Sequence, residues 1–214
     1  GCRGIGSAVA RAGHEGRWQP RCRAALCGCL CPEIRAASVS CVKTRRLFIA
    51  LWPPPAVRGE LVERTAPMRV PVGARCVAPE EWHLTLEFLG VVPESARPAL
   101  ERLLAGFPPQ PEPLVLDRLS YWPESRAGVL LPSRIPAALL QGHAWLRAQL
   151  QGLGHRIDSR PFQPHVTLYH ASTPWDSCAA KPAIVWPLRH LALVESSPVV
   201  GSSRYIELAA QELS

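Results

Sequence analysis

The sequence predicts an α+β fold built as two related lobes, and three observations lead there. Strand-like segments outnumber helical ones and do not alternate regularly with them, as a doubly wound parallel sheet would require. The segment His83-Leu84-Thr85-Leu86 returns 82 residues later as His165-Val166-Thr167-Leu168. One such segment falls in each half of the chain, and the halves carry similar numbers of strands and helices, which suggests a pseudo-twofold arrangement.

In chain order, Arg46–Leu51 reads as a buried strand, ended by Pro53-Pro54-Pro55 because proline cannot donate to a ladder. Residues 56–65 have helical character, with Val57, Leu61 and Val62 on one side. Strands follow over Ala74–Val77 and His83–Leu89, the second closed by Gly90. A helix is expected over Glu94–Leu104 with Gly106 beyond its end, then strands over Leu114–Leu119 and Gly128–Leu131. The longest helix, Pro136–Gln151, has proline at its start and Gly152 just past its end. His165–Tyr169 is a strand, Ala171–Pro182 a loop, and Leu188–Ser196 and Arg204–Ala209 are closing strands.

Composition bounds the function. The 214 residues suffice for one domain with a good core or two small lobes. No uninterrupted apolar run approaches the roughly 18 residues that span a bilayer, so a soluble, cytoplasmic, monomeric protein is expected. The net charge of +7 is uneven: residues 1–41 hold six arginines against Glu15 and Glu33, whereas residues 42–214 hold 18 basic and 15 acidic residues. The body is mildly basic, which favours a phosphate-bearing substrate without marking a duplex binder.

Six of the eight cysteines also crowd the first 41 residues. Cys27-x-Cys29-x-Cys31 is poor zinc spacing and lacks a downstream pair. Leu26-Cys27-Gly28-Cys29 hints at a lipoprotein signal, but only three apolar residues precede it after Arg23, against the about 7–15 that a signal needs. Residues 1–41 show no periodic pattern and begin with Gly1. They are expected to be a disordered or non-native extension, with a natural start at Val42 through an alternative initiation codon. Residues 42–214 are then the single folded domain.

The repeated His-Thr pattern carries the chemistry. Side chains alternate along a strand, so His83 and Thr85 share one face while Leu84 and Leu86 share the other, and likewise for His165 and Thr167 against Val166 and Leu168. A core-facing surface has no use for an imidazole beside a hydroxyl. Two such strands can set imidazoles facing each other across a groove, and one neutral and one protonated imidazole are a minimal base and acid near neutral pH. A lone His-x-Thr is a weak signal and a single strand histidine is usually a satisfied core or surface imidazole; the duplication reverses that for His83 and His165. His14, His143, His155, His170 and His190 have no such pattern. His170, at an odd offset from His165, is expected on the opposite face and outside the chemistry.

The wider segments are Glu81-Trp82-His83-Leu84-Thr85-Leu86-Glu87-Phe88-Leu89-Gly90 and Arg160-Pro161-Phe162-Gln163-Pro164-His165-Val166-Thr167-Leu168-Tyr169. With Arg46-Leu47-Phe48-Ile49-Ala50-Leu51 upstream, the chain from about Arg45 onward resembles the 2H phosphoesterase superfamily, and within it the bacterial RNA 2',3'-cyclic phosphodiesterases (the 2'-5' RNA ligase-like family). The resemblance implies two antiparallel sheets forming a V-shaped central groove with helices outside. It implies hydrolysis of RNA 2',3'-cyclic phosphate ends to 2'-phosphomonoesters, with His83 as proton donor and His165 as proton acceptor.

Such a reaction needs a base for water, an acid for the departing ribose oxygen and donors for the phosphate oxygens, with no metal or cofactor. Thr85 and Thr167 are the expected donors. Arg160, a fixed fork of donors stiffened by Pro161 and Pro164, is the candidate substrate contact, against the reading of a solvated surface arginine. Trp82, Phe162 and Tyr169 are candidates to stack on a terminal base, with lobe packing the competing reading and the favoured one for Phe162. The partner is an RNA or oligonucleotide with a cyclic phosphate end.

Rival readings have weaker support. Metal-dependent hydrolysis lacks an acidic residue in the strand around His165, and Glu81 and Glu87 alone make a poor ligand set. A non-catalytic RNA-binding module would want Lys/Arg-dense or aromatic-rich strands, yet the body has only Lys43 and Lys181 as lysines. Reversible 2'-5' ligation, and another 2H branch acting on a nucleotide cyclic phosphate or a 2'-5' oligonucleotide, remain open as substrate alternatives.

Overall fold

The computed structural model describes residues 43–65, 73–170, 173–174, 176, 178–197 and 204–214. The expectations for residues 1–41 lie outside the described residues. The elements run β1 (Thr44–Trp52), α1 (Pro55–Thr65), β2 (Arg75–Cys76), β3 (Leu84–Pro93), α2 (Arg97–Ala105), β4 (Leu114–Trp122), β5 (Ala127–Leu131), α3 (Ala137–Gly152), β6 (Val166–His170), β7 (Cys178–Trp186), β8 (His190–Ser196) and β9 (Tyr205–Glu212).

The strands form two antiparallel sheets, ordered β3-β1-β8-β9 and β2-β6-β5-β4-β7. This is the expected α+β, two-sheet architecture. The sheets are not the two halves of the sequence, however. The first takes β1 and β3 from the beginning and β8 and β9 from the end, and the second takes the middle. Matching β3-β1-β8-β9 onto β6-β5-β4-β7 puts the His83-Thr85 strand on the His165-Thr167 strand, so the pseudo-twofold relates sheets rather than chain halves. α1 follows a strand of the first sheet and yet contacts β7 of the second, while α2 contacts β8 and β9 of the first.

β1 shows how one strand serves two environments. Leu47, Ile49 and Leu51 enter the main core with Leu61, Leu100, Leu104, Leu139 and Leu146, and burying each contributes roughly 1.5–3 kcal/mol. Its other face sets Phe48 and Ala50 beside Ala192 and Val194, with Trp52 and Tyr205 packed against them. That smaller cluster is the floor beneath the site.

Three local expectations change. β3 does not stop at Gly90: Leu47 pairs with Gly90 and Phe48 with Phe88, so Leu89 is an extra, unpaired residue. Gly90 takes φ 70, the left-handed conformation that glycine tolerates, and the strand passes through it as a bulge. The segment read as a loop up to Pro182 contains the first half of β7. Its Lys181-Pro182 pair falls in an irregularity opposite Asp117, and β7 is an edge strand, the two settings where proline is compatible with a sheet. α3 begins at Ala137 with Pro136 as its N-cap, and the left-handed stop comes from Gly154 at φ 83 rather than from Gly152.

Candidate active site

His83 and Thr85 sit at the start of β3, His165 and Thr167 at the start of β6, and all four line one cavity of about 400 Å³. Arg46, Phe48, Glu81, Phe88, His170 and Arg204 are also on its walls. The structure thus brings together both predicted pairs.

The two imidazoles are held the same way. The Nδ1 of His83 lies 2.6 Å from the carbonyl oxygen of Glu81, and the Nδ1 of His165 lies 2.7 Å from that of Gln163. A carbonyl only accepts, so Nδ1 carries the proton in each ring. The Nε2 atoms are left as the exchangeable positions, free to take or give a proton as the ring charges. Pro164, buried behind His165, and Trp82, buried behind His83, fix the chain that presents those carbonyls.

Their surroundings differ. His83 lies in an aromatic collar, stacked on Trp52 at 4.8 Å and 15°, with Phe48 and Tyr205 each 5.1 Å away. Burial is the largest influence on it and pushes its pKa down to about 4; the Glu81 carbonyl opposes this, while His165 and Arg204 add to it. His165 has one aromatic neighbour, Trp122 at 4.3 Å. Burial also lowers its pKa from the ordinary histidine value, opposed by the Gln163 carbonyl. Without an anion in the groove, both rings are therefore neutral at neutral pH.

A matched irregularity shapes both strands. Ala50 pairs with Thr85 and Ile49 with Glu87, which leaves Leu86 unpaired; Val129 pairs with Thr167 and Gly128 with Tyr169, which leaves Leu168 unpaired. Each bulge comes one residue after the threonine and reverses the alternation beyond it. His170 is therefore on the cavity wall, not on the opposite face as alternation implied. Phe88 takes the corresponding place on β3, and 62 % of it is exposed. Glu87, which unbroken alternation would set beside Thr85, is turned into the core, 5 % exposed. Alternation could not foresee this, because a bulge has no residue signature in an aliphatic run.

Other expected contacts fall elsewhere. Arg160 is not among the cavity residues: its backbone N–H and its guanidinium both bond to the Asp158 carboxylate, on an exposed turn. That pairing holds the Asp158 carboxyl down at about 2. The cations that do reach the cavity are Arg46 and Arg204. Trp82 and Tyr169 are each 5 % exposed and belong to the main core, and Phe162 stacks on His143 at 3.9 Å and 11°. Trp82 and Tyr169 are closed to a base, and Phe162, partly buried, is not among the cavity residues. Phe88, with Phe48 at 6.0 Å behind it, is the most exposed aromatic side chain lining the cavity. It belongs to the motif strand itself, and nothing in the local pattern separates it from a core residue. Among the described residues, no group of three or more His, Cys, Asp or Glu side chains is arranged to hold a metal ion.

Paired imidazoles and hydroxyls from both sheets thus line one groove, and comparison with known proteins identifies the family. Residues 51–131 match the family model described as LigT like Phosphoesterase. An RNA 2',3'-cyclic phosphodiesterase of Escherichia coli (strain K12) is 38% identical over 125 residues, covering 58% of this chain and 70% of its own length. One from Thermus thermophilus is 33% identical over 168 residues, covering 71% and 81%. The crystal structure of E. coli LigT complexed with 3'-AMP superposes with a TM-score of 0.73 at 29% identity, covering 80% of this chain and 99% of that one. A crystal structure described as a phosphoesterase gives 0.72 at 33% identity, with the same coverage. The chain belongs to the LigT-like phosphoesterase family.

Proposed function

We propose that this enzyme hydrolyses RNA 2',3'-cyclic phosphate ends to 2'-phosphomonoesters, by metal-independent general acid–base catalysis from His83 and His165. The observation that carries the reading is the matched pair of imidazoles, each with Nδ1 fixed on a main-chain carbonyl and each lining the same cavity as its threonine. The names of the two bacterial relatives support the substrate class.

In the proposed reaction water attacks phosphorus and the bond from phosphorus to the 3' oxygen breaks. The Nε2 of His165 accepts the water proton, and the Nε2 of His83, protonated, gives its proton to the departing oxygen. Thr85 and Thr167 donate hydroxyl hydrogen bonds to the non-bridging oxygens, and Arg46 and Arg204 offset the charge that builds on them. The assignment of donor and acceptor rests on the family resemblance.

Burial favours the neutral form of His83, so the protonated acid is generated as the anionic substrate binds. A cyclic phosphodiester carries one negative charge, and an anion beside a desolvated imidazole favours its protonated form. The acid is thus armed when there is something to cleave. Phe88 offers a face on which the terminal base can stack, worth roughly 1–3 kcal/mol per base. Among the described residues no helix is long and apolar enough to cross a membrane. We expect the protein to act as a cytoplasmic monomer.

The test is to incubate the purified protein, with and without chelator, with RNA ending in a 2',3'-cyclic phosphate and to identify the product isomer. A 2'-phosphate formed equally well with chelator is the expected result. A 3'-phosphate, or activity lost to the chelator, contradicts the reading.

A further inference from the structure

The bulge at Leu86 turns Glu87 away from the groove, and its carboxylate meets a second buried titratable group. The Oε2 of Glu87 is 3.6 Å from the Nε2 of His143 on α3, and the two residues are 5 % and 7 % exposed. The other side of this contact is equally specific: the His143 ring lies flat against Phe162, centroids 3.9 Å apart. Glu87 is two residues beyond Thr85, and Phe162 is three residues before His165. Three side chains therefore connect the strand of one His-Thr pair to the segment that delivers the other.

Core packing alone has no need of ionisable groups here. A buried carboxylate beside a buried imidazole is costly to desolvate, and well-packed apolar side chains of the same volume would do as well or better for stability. What such a pair adds is a fixed direction, since ring and carboxylate must meet edge to edge. The segment it restrains is otherwise held by Ile157, packed against the main core, and by the buried Pro164. Residues 153–165 contain no helix or strand, and the guanidinium of Arg147, also on α3, donates to the carbonyl of Asp158. The Gln163 carbonyl that sets the tautomer of His165 is the next residue after Phe162.

We propose that Glu87, His143 and Phe162 are positioning residues for the reaction read above. Glu87 orients the His143 ring, the ring seats Phe162, and Phe162 places the Gln163 carbonyl that holds His165 with its proton on Nδ1. His143 thereby ties the two catalytic strands into one register from the outer side of the fold, without touching substrate. The proposal rests on His165 being one of the two proton-transfer groups.

Phe162→Leu and His143→Gln test this, with Phe162→Tyr as the conservative control. Removing His143 leaves Glu87 buried without its partner, so Phe162→Leu, which leaves that pair in place, is the variant that keeps the test open if His143→Gln does not fold. Two readouts are needed. The first is the nitrogen NMR spectrum of labelled histidine, in which the His165 signals report which ring nitrogen carries the proton, with no substrate present. The second is the kinetics on RNA with a cyclic phosphate end. The wild type and Phe162→Tyr should show His165 with its proton on Nδ1, whereas Phe162→Leu should show a mixture of both tautomers. In Phe162→Leu kcat should fall about tenfold or more with KM within about threefold, since a misplaced base costs more in the transition state than in binding. An unmoved His165 tautomer in folded Phe162→Leu overturns the proposal whatever the rates do. If no variant, wild type included, turns over the RNA, the substrate assignment fails, and the tautomer measurement still decides the positioning role.

Discussion

Leu86 and Leu168 form equivalent bulges, 82 residues apart, each one residue beyond the threonine of its motif. Because each adds one unpaired residue, the face that begins with a histidine and a threonine continues with Phe88 in one strand and His170 in the other. The bulges let each strand line the groove while its neighbouring leucines stay in the core.

The first prediction concerns the proton carriers. His83→Ala and His165→Ala should each lower cyclic phosphate hydrolysis by roughly 10²–10⁴, with the fold intact by circular dichroism. Thr85→Val and Thr167→Val should cost less, since each removes one hydrogen-bond donor rather than a proton carrier. Retention of more than about a tenth of the wild-type rate by either alanine variant contradicts the role.

The second concerns pH. The acid must be protonated and the base neutral, so the rate falls above the pKa of the donor and below that of the acceptor. In the free enzyme burial lowers both, that of His83 to about 4. The kcat/KM profile should then have its maximum below the ordinary histidine value of about 6.5. Bound substrate brings a negative charge that raises both, so the limbs of the kcat profile should lie at higher pH. Coincident profiles would show that the substrate does not arm the acid.

A third prediction isolates the cause of that depression. Trp52 stacks on the His83 ring, and burial is the largest influence on this imidazole. Trp52→Ala opens one side of the collar to water, so the His83 pKa should rise toward its unperturbed value in an NMR titration. No change would mean that Phe48 and Tyr205 suffice to desolvate it.

How far the sequence reveals the site follows from what each feature needs. His83, Thr85, His165 and Thr167 were legible because a duplicated polar face is improbable in a core strand. The two-sheet fold was legible from the same strands and the family likeness. The membership of each sheet was not, because strand order depends on pairings between distant segments that no local pattern records. β7 was hidden by Pro182, which argues against a central strand and is harmless at an edge. Tyr169 and His170 exchange faces because both lie beyond the bulge at Leu168, whereas Trp82 precedes the bulge at Leu86 and alternates with His83 into the core. Arg160 offers the right donors, but Asp158, two residues away, already occupies them.

A fourth prediction addresses the first residues of the chain. Their clustered arginines and cysteines differ from the body, and they show no core pattern. A protein beginning at Val42 should fold and turn over at the full-length rate in a side-by-side assay. Lost solubility or activity would restore a role for the cysteine cluster.

The central claim is that His83 gives a proton to the departing 3' oxygen and His165 takes one from water. It is tested most directly with a substrate whose 3' bridging oxygen is replaced by sulfur, because a thiolate leaves without a proton. Initial rates of His83→Ala and His165→Ala on this substrate and on its oxygen parent are the measurement. The account predicts that sulfur restores turnover to His83→Ala and leaves His165→Ala slow. Rescue of His165→Ala instead would reverse the two roles, and rescue of neither would contradict acid catalysis at this site.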